Sequence, residues 1–167
     1  TLASAQDNTF SGKVKVSQGT LSLTGYNEYV AGAELANNAT LELGQSKSAG
    51  SGEITFNGSQ GTLRALDSLN LSNALTIANN GTVDTNNQTV TSNGLISGAG
   101  SLAVEGGGHL TLLCDNTFAG NTVISGATKV TLGAGTPNGL STGSVALSGG
   151  SNLELAFSSA TFDNGVN

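Results

Sequence analysis

Short apolar-x-apolar units run the whole length of this chain. They are Val14 and Val16, Leu21 and Leu23, Leu41 and Leu43, Ile54 and Phe56, Leu69 and Leu71, Leu75 and Ile77, Leu102 and Val104, Leu110 and Leu112, Val130 and Leu132, Val145 and Leu147, and Leu153 and Leu155. A period of two turns both members of a pair to one side of a strand and the Thr, Ser, Lys or Glu between them to the other. Between the units stand "NN", "NG", "SG", "GG" and "GAG", residues that accept positive φ or hold a turn with their own side chains. The chain therefore reads as strand, corner, strand, corner, and helix fits almost nowhere.

Strands at intervals of roughly 8 to 12 residues suit a sandwich or a solenoid. Three features favour the solenoid. The inward residues are mostly Leu, Val and Ile of similar size, with few of the large aromatics that fill a sandwich. The phrase G-T-L-x-L or a near copy returns at Gly19, Ala39, Gly61 and Ser151. A longer phrase, "DNTFSG" from Asp7, returns as "DNTFAG" from Asp115, 108 positions on (7 to 115), which fits about five coils of roughly 20 residues. The expected fold is all-β, a right-handed parallel β-helix of roughly seven to eight coils, on the order of 35 to 40 Å long. Both its ends would carry unpaired strand edges.

Composition narrows the partners. A net charge of −6, with only Lys13, Lys15, Lys47, Arg64 and Lys129 as cations, argues against nucleic acid and against anionic membrane surfaces. No apolar run approaches the roughly 18 residues of a membrane span, and no signal-peptide pattern is present. Cys114 is the single cysteine, so an internal disulfide is impossible and stability must come from a regular core. Thr1 falls in mid-repeat, so the chain is expected to be a piece of something longer.

The stretch from Thr76 to Gly133 resembles the autotransporter-associated β-strand repeat of bacterial type V secretion passengers. The marks are "SGAGSL" from Ser97, "GGGHLTL" from Gly106, "DNTFAGNT" from Asp115 and the "ISGATKVTLG" that follows. Residues 1 to 25 resemble the second half of an earlier copy. His109 stands where the family usually has Thr, and Cys114 where a small polar residue is common. The resemblance implies a β-helical stalk over residues 1 to 167, a single passenger segment exported through an outer-membrane barrel to the cell surface or medium. It implies an autochaperone-like unit at 94 to 134. That unit would rest on Gly98, Gly100, Leu102, Val104, Leu110, Leu112, Asp115, Asn116, Phe118, Gly120, Val130 and Leu132. The implied partners are its own downstream barrel, the upstream passenger, and host or bacterial surface proteins, with no membrane insertion by this segment.

The residues offer little chemistry. "GAGSLA" from Gly98 matches a dinucleotide fingerprint in letters, but that loop must lead into a helix and here a strand pattern follows. His109 and Cys114 lack the converging partners that a metal or a nucleophilic pair requires. Glu34, Glu42, Glu53, Glu105 and Glu154 alternate with apolar residues and face outward, with no paired acid constellation of the kind glycan-cleaving β-helices use. The calcium nonapeptide is absent, and "NGS" from Asn57 and "NGT" from Asn80 read as corners. No enzyme activity, metal or cofactor is expected. Tyr26 and Tyr29 form the one cluster suited to a binding surface, the alternative to a stalk; a polysaccharide-active enzyme ranks third. In the repeated phrase, Asp and Asn are expected to bond their own downstream backbone, Phe to fold over the coil's end, and Gly12 or Gly120 to take the φ that starts the next strand.

Overall fold

The computed structural model describes residues 11–156, so Asp7 to Phe10 and the rest of 1–10, most of the first copy of the repeated phrase, lie outside the described residues. Those residues form seven stacked coils. The first holds β1 (Val14–Val16) and β2 (Thr20–Leu23), the second β3 (Ala33–Leu35) and β4 (Ala39–Leu43). The third holds β5 (Ile54–Phe56), β6 (Gly61–Ala65) and β7 (Leu69–Leu71); the fourth β8 (Leu75–Ile77), β9 (Asn80–Asp84) and β10 (Thr89–Ser92). The fifth holds β11 (Ile96–Ser97), β12 (Ser101–Glu105) and β13 (His109–Leu112), the sixth β14 (Thr122–Ile124) and β15 (Lys129–Leu132), and the seventh β16 (Val145–Leu147) and β17 (Asn152–Leu155). No helix occurs among the described residues.

Three wholly parallel sheets result. The first runs β1-β3-β5-β8-β11, the second β2-β4-β6-β9-β12-β14-β16, and the third β7-β10-β13-β15-β17. Only the second passes through every coil. Its six inter-strand steps, at about 4.8 Å each, span roughly 29 Å. The fold is the expected β-solenoid, and a coil takes between 19 residues (Val14 to Ala33) and 23 (Val130 to Leu153).

Parallel pairing in register places like over like. In the second sheet Leu21, Leu41, Leu63, Val83, Val104, Ile124 and Leu147 form one column. Its five inner members are buried and its two ends half-buried. Every apolar pair named from the sequence lies on a strand, with only the outermost, such as Leu155, left exposed. At roughly 1.5 to 3 kcal/mol per buried aliphatic side chain, these columns supply most of the driving force.

The interior is mostly Leu, Val and Ile, as expected, with Tyr29, Phe56 and Phe118 its largest fully buried side chains. Phe56 fits because Gly61 and Gly81 stack beside it; a Cβ at Gly81 would lie 2.9 Å from Phe56 Cγ. Two expectations need correction. Asn80 is not a corner but the first residue of β9. Second, the repeated phrases do not all mark one face. The copies at Gly19, Ala39 and Gly61 lead into β2, β4 and β6, which stack, but the copy at Ser151 leads into β17 on the third sheet. Likewise, position 14 stacks on 33, 54, 75 and 96, and Thr117 N–H continues that column to Ile96 O at 2.9 Å. The echo of Val14 108 residues on is Thr122, in β14 on the second sheet. The long echo is thus five coils and part of a sixth, because strand-corner units are locally alike whichever face they occupy.

Two measurements test this packing. Leu112→Asp and Leu132→Asp, each burying an unpaired charge, are expected to cost several kcal/mol, whereas Glu154→Gln on the outer face leaves the denaturation midpoint nearly unchanged; equal losses would reverse the assigned faces. Gly81→Ala should cost about 1 to 3 kcal/mol by overpacking, and most of that loss should vanish in a Phe56→Leu background.

Candidate functional site

The residues nominated from the sequence within 94 to 134 form the inner wall and two corners of the fifth and sixth coils. Leu102, Val104, Leu110, Leu112, Val130 and Leu132 all point inward from β12, β13 and β15, each no more than 1% exposed. Gly98 takes φ +113°, and a Cβ there would sit 2.1 Å from Ile77 O. Both facts demand glycine. Gly100 has only the second reason, the close approach of Asn79 O. The fingerprint-like "GAGSLA" is therefore a tight corner leading straight into β12.

The corner at 115 to 120 works differently from the sequence expectation. Asp115 Oδ1 accepts a hydrogen bond not from its own segment but from Asn138 N, one coil on, at 3.0 Å. Asn116 is buried; its Oδ1 accepts from Ile96 N at 2.8 Å, one coil back, and its Nδ2 donates to Gly139 O, one coil on. Phe118 does not cap the coil's end: it is fully buried where a strand of the first sheet would otherwise lie. Gly120 is not in the left-handed region; it is needed because a Cβ would meet Gly100 O at 2.4 Å. The motif clasps three coils together.

Sequence reasoning missed two further clasps on the same edge, in the connections leading from the third face to the first. Buried Asn27 donates to Ser48 O and Gly25 O, and buried Asn73 to Gly50 O and Gly52 O. Such amides satisfy main-chain oxygens that the turning chain leaves without ladder partners. Asn at corners is so common here that nothing local marks these as the inward ones.

The outer surface carries paired charges. Lys15 meets Glu34 at 3.0 Å, Arg64 meets Asp84 at 3.3 Å and Lys129 meets Glu154 at 2.6 Å. All join neighbouring coils, the first two directly across the register and the third diagonally, because Glu154 lies opposite Thr131. The Lys15 hydrogen bond, helped by Asn57, holds Glu34 below the usual carboxylate range, and the Lys129 hydrogen bond does the same for Glu154. Glu42 lies opposite Arg64, and Glu105 opposite Asp84; Glu53 is exposed and accepts from Thr76 Oγ1. Among the described residues no three His, Cys, Asp or Glu side chains gather as metal ligands would. Cys114 is half-buried and its thiol donates to Asn93 O at 3.1 Å.

His109 is half-buried on the outer side of β13, its Nε2 2.8 Å from Thr131 Oγ1. The tyrosine pair divides. Tyr26 is exposed, but Tyr29 is 1% exposed, with its phenol pushed up to about 12 by burial. Only Tyr26 belongs to a surface. No protein-family model matches the chain, and neither a characterised protein nor a solved structure matches it.

Burial, then the charge of Lys129, lowers the affinity of His109 for a proton below the ordinary 6.5, against an opposing pull from Glu154. The unfolded chain therefore binds the proton more readily, and folding stability falls as pH drops from about 6.5 toward the folded midpoint. The loss from Glu34 and Glu154 comes only lower, below the ordinary 4.5. The single imidazole should titrate below 6.5 by NMR, and His109→Thr should remove the stability change between about pH 7 and 5.5; a midpoint at or above 6.5 contradicts the burial argument.

Proposed function

We propose that this chain is the stalk and folding-nucleating segment of a bacterial autotransporter passenger, serving its export and display at the cell surface. One observation carries the reading: the in-register aliphatic column of the second sheet runs through all seven coils and stays half-open at Leu21 and Leu147. Each coil is a template on which the next pairs its main chain and covers its apolar row, so stacking once begun propagates coil by coil. The resemblance of Thr76 to Gly133 to the autotransporter-associated repeat supplies the biological setting.

In that setting the upstream passenger and the downstream barrel are the neighbours of the segment. The unit at 94 to 134 suits a nucleus because Asn116 there ties three coils and Phe118 fills the place of a missing strand. Within this unit Asn116 bonds Ile96 and Phe118 is packed, and the bond to Gly139 forms with the next coil.

The test uses the full-length parent in its own cells. Phe118→Ala and Leu41→Ala each remove a fully buried side chain, at about 2 to 5 kcal/mol, but only the first touches the proposed nucleus. With matched export, external protease should degrade the Phe118→Ala passenger and spare both Leu41→Ala and the unmodified protein. Equal protection of all three removes the nucleating role, and a segment reached by protease only after cell lysis removes surface display.

A further inference from the structure

The third sheet begins only at the third coil, so among the described residues β7 has no strand partner on its outer edge. Residues 24–32 and 44–53 of the first two coils occupy that place as irregular loops. They are firmly tied: Ser48 Oγ donates to Gly25 O at 2.9 Å, Gln45 Nε2 to Thr24 O at 2.9 Å, and Ser51 N to Tyr29 O at 3.1 Å. Ser46 Oγ accepts from Asn70 N of β7 at 2.8 Å, which ties the second loop to the open edge. Tyr29 and Asn27 are buried beneath.

Between the outer sides of the two loops opens a cleft of about 260 Å³, lined by Tyr26, Asn27, Glu28, Lys47, Gly50 and Ser51. Lys47 Nζ sits 5.8 Å from the centre of the Tyr26 ring. A smaller hollow of about 100 Å³ shares Lys47, Gly50 and Ser51 and continues the cleft toward Asn70 and Asn73.

We infer that this cleft binds a sugar residue bearing a carboxylate. The exposed part of the Tyr26 ring offers an apolar surface with the flatness that the C–H face of a pyranose needs. Among the described residues Lys47 is in no ion pair with a carboxylate, unlike Lys15, Arg64 and Lys129; it lines the cleft, where its charge matches a sugar acid. Glu28 and Ser51, both exposed at the rim, accept and donate to hydroxyls. A bare phosphate would use Lys47 but leave Tyr26 idle, and a neutral sugar would leave the cation without a counterpart.

The placement is selective. The chain has two tyrosines and five cations in 167 residues, and the other tyrosine is buried. The loops are held by hydrogen bonds before any ligand arrives, so little ordering is left to oppose binding. The inference stands apart from the stalk reading, because the purified chain carries the whole cleft.

The experiment titrates the 167-residue chain, with 13C-labelled tyrosine rings, with methyl glucuronoside, methyl glucoside and inorganic phosphate in parallel. The glucuronoside should shift the Tyr26 ring signals saturably in roughly the millimolar range while those of Tyr29 stay fixed, and affinity should fall with added salt. The neutral glucoside, and the glucuronoside with the exposed Lys47 replaced (Lys47→Ala or Lys47→Gln), should each bind at least about tenfold more weakly. Absence of a saturable shift, equal affinity in the Lys47 variants, or an equal response to phosphate would overturn the assignment.

Discussion

Main-chain pairing at a one-coil period is the constraint on which the rest of this molecule depends. Each strand bonds the strand one coil before and one coil after, parallel and in register. A side chain is therefore packed against the residues about 20 positions away on either side, and its chemistry must suit both. Aliphatic rows tolerate this well because Leu over Leu over Val packs closely with nothing polar to satisfy. The outer rows obey the same rule with charge: Glu34 is under Lys15 and Asp84 under Arg64, while Lys129 reaches diagonally to Glu154, which lies under Thr131.

The same rule turns an irregular residue into a problem for its neighbours. Phe56 is too large for a uniform rung, and the space it needs is left by glycines in the second sheet of its own coil and of the next. Phe118 solves a related problem. The first sheet stops at β11, and a buried aromatic fills the interior where a sixth strand would have been. Main-chain groups freed at such breaks need partners, and the buried amides of Asn27, Asn73 and Asn116 supply them across coils.

The proposed binding cleft lies where regularity ends. The faces of the stack are rows of Ser, Thr and paired charges, which suit a solvated stalk. The missing third-sheet strands of the first two coils leave room for loops that bring Tyr26, Glu28 and Lys47 together. A regular rung would have turned these three side chains to separate rows. The loops exchange ladder bonds for side-chain bonds, and in doing so bring an aromatic ring, a cation and a carboxylate into one concave place.

Strand, corner and inward face were legible in the sequence because each depends on a few adjacent residues. Alternation such as Leu110-Thr-Leu112 has only one amphipathic solution as a strand, and similar units repeated at even spacing pointed to stacking. Which unit stacks on which was not legible. "KVKV" from Lys13 and "NTVI" from Asn121 are matching parts of one repeated phrase, yet they lie on different sheets. Their faces follow from the summed length of every corner before them. The roles of Asp115 and Asn116 were hidden for the same reason: their partners, Asn138, Gly139 and Ile96, are a full coil away. Tyr26 and Tyr29 look equivalent in "TGYNEYV", but only the packed loops decide that one lines a cleft and the other is core. Local pattern determined the strand, its inner face and the solenoid class; tertiary structure decided register, clasp and cleft, because those depend on contacts between residues about twenty positions apart.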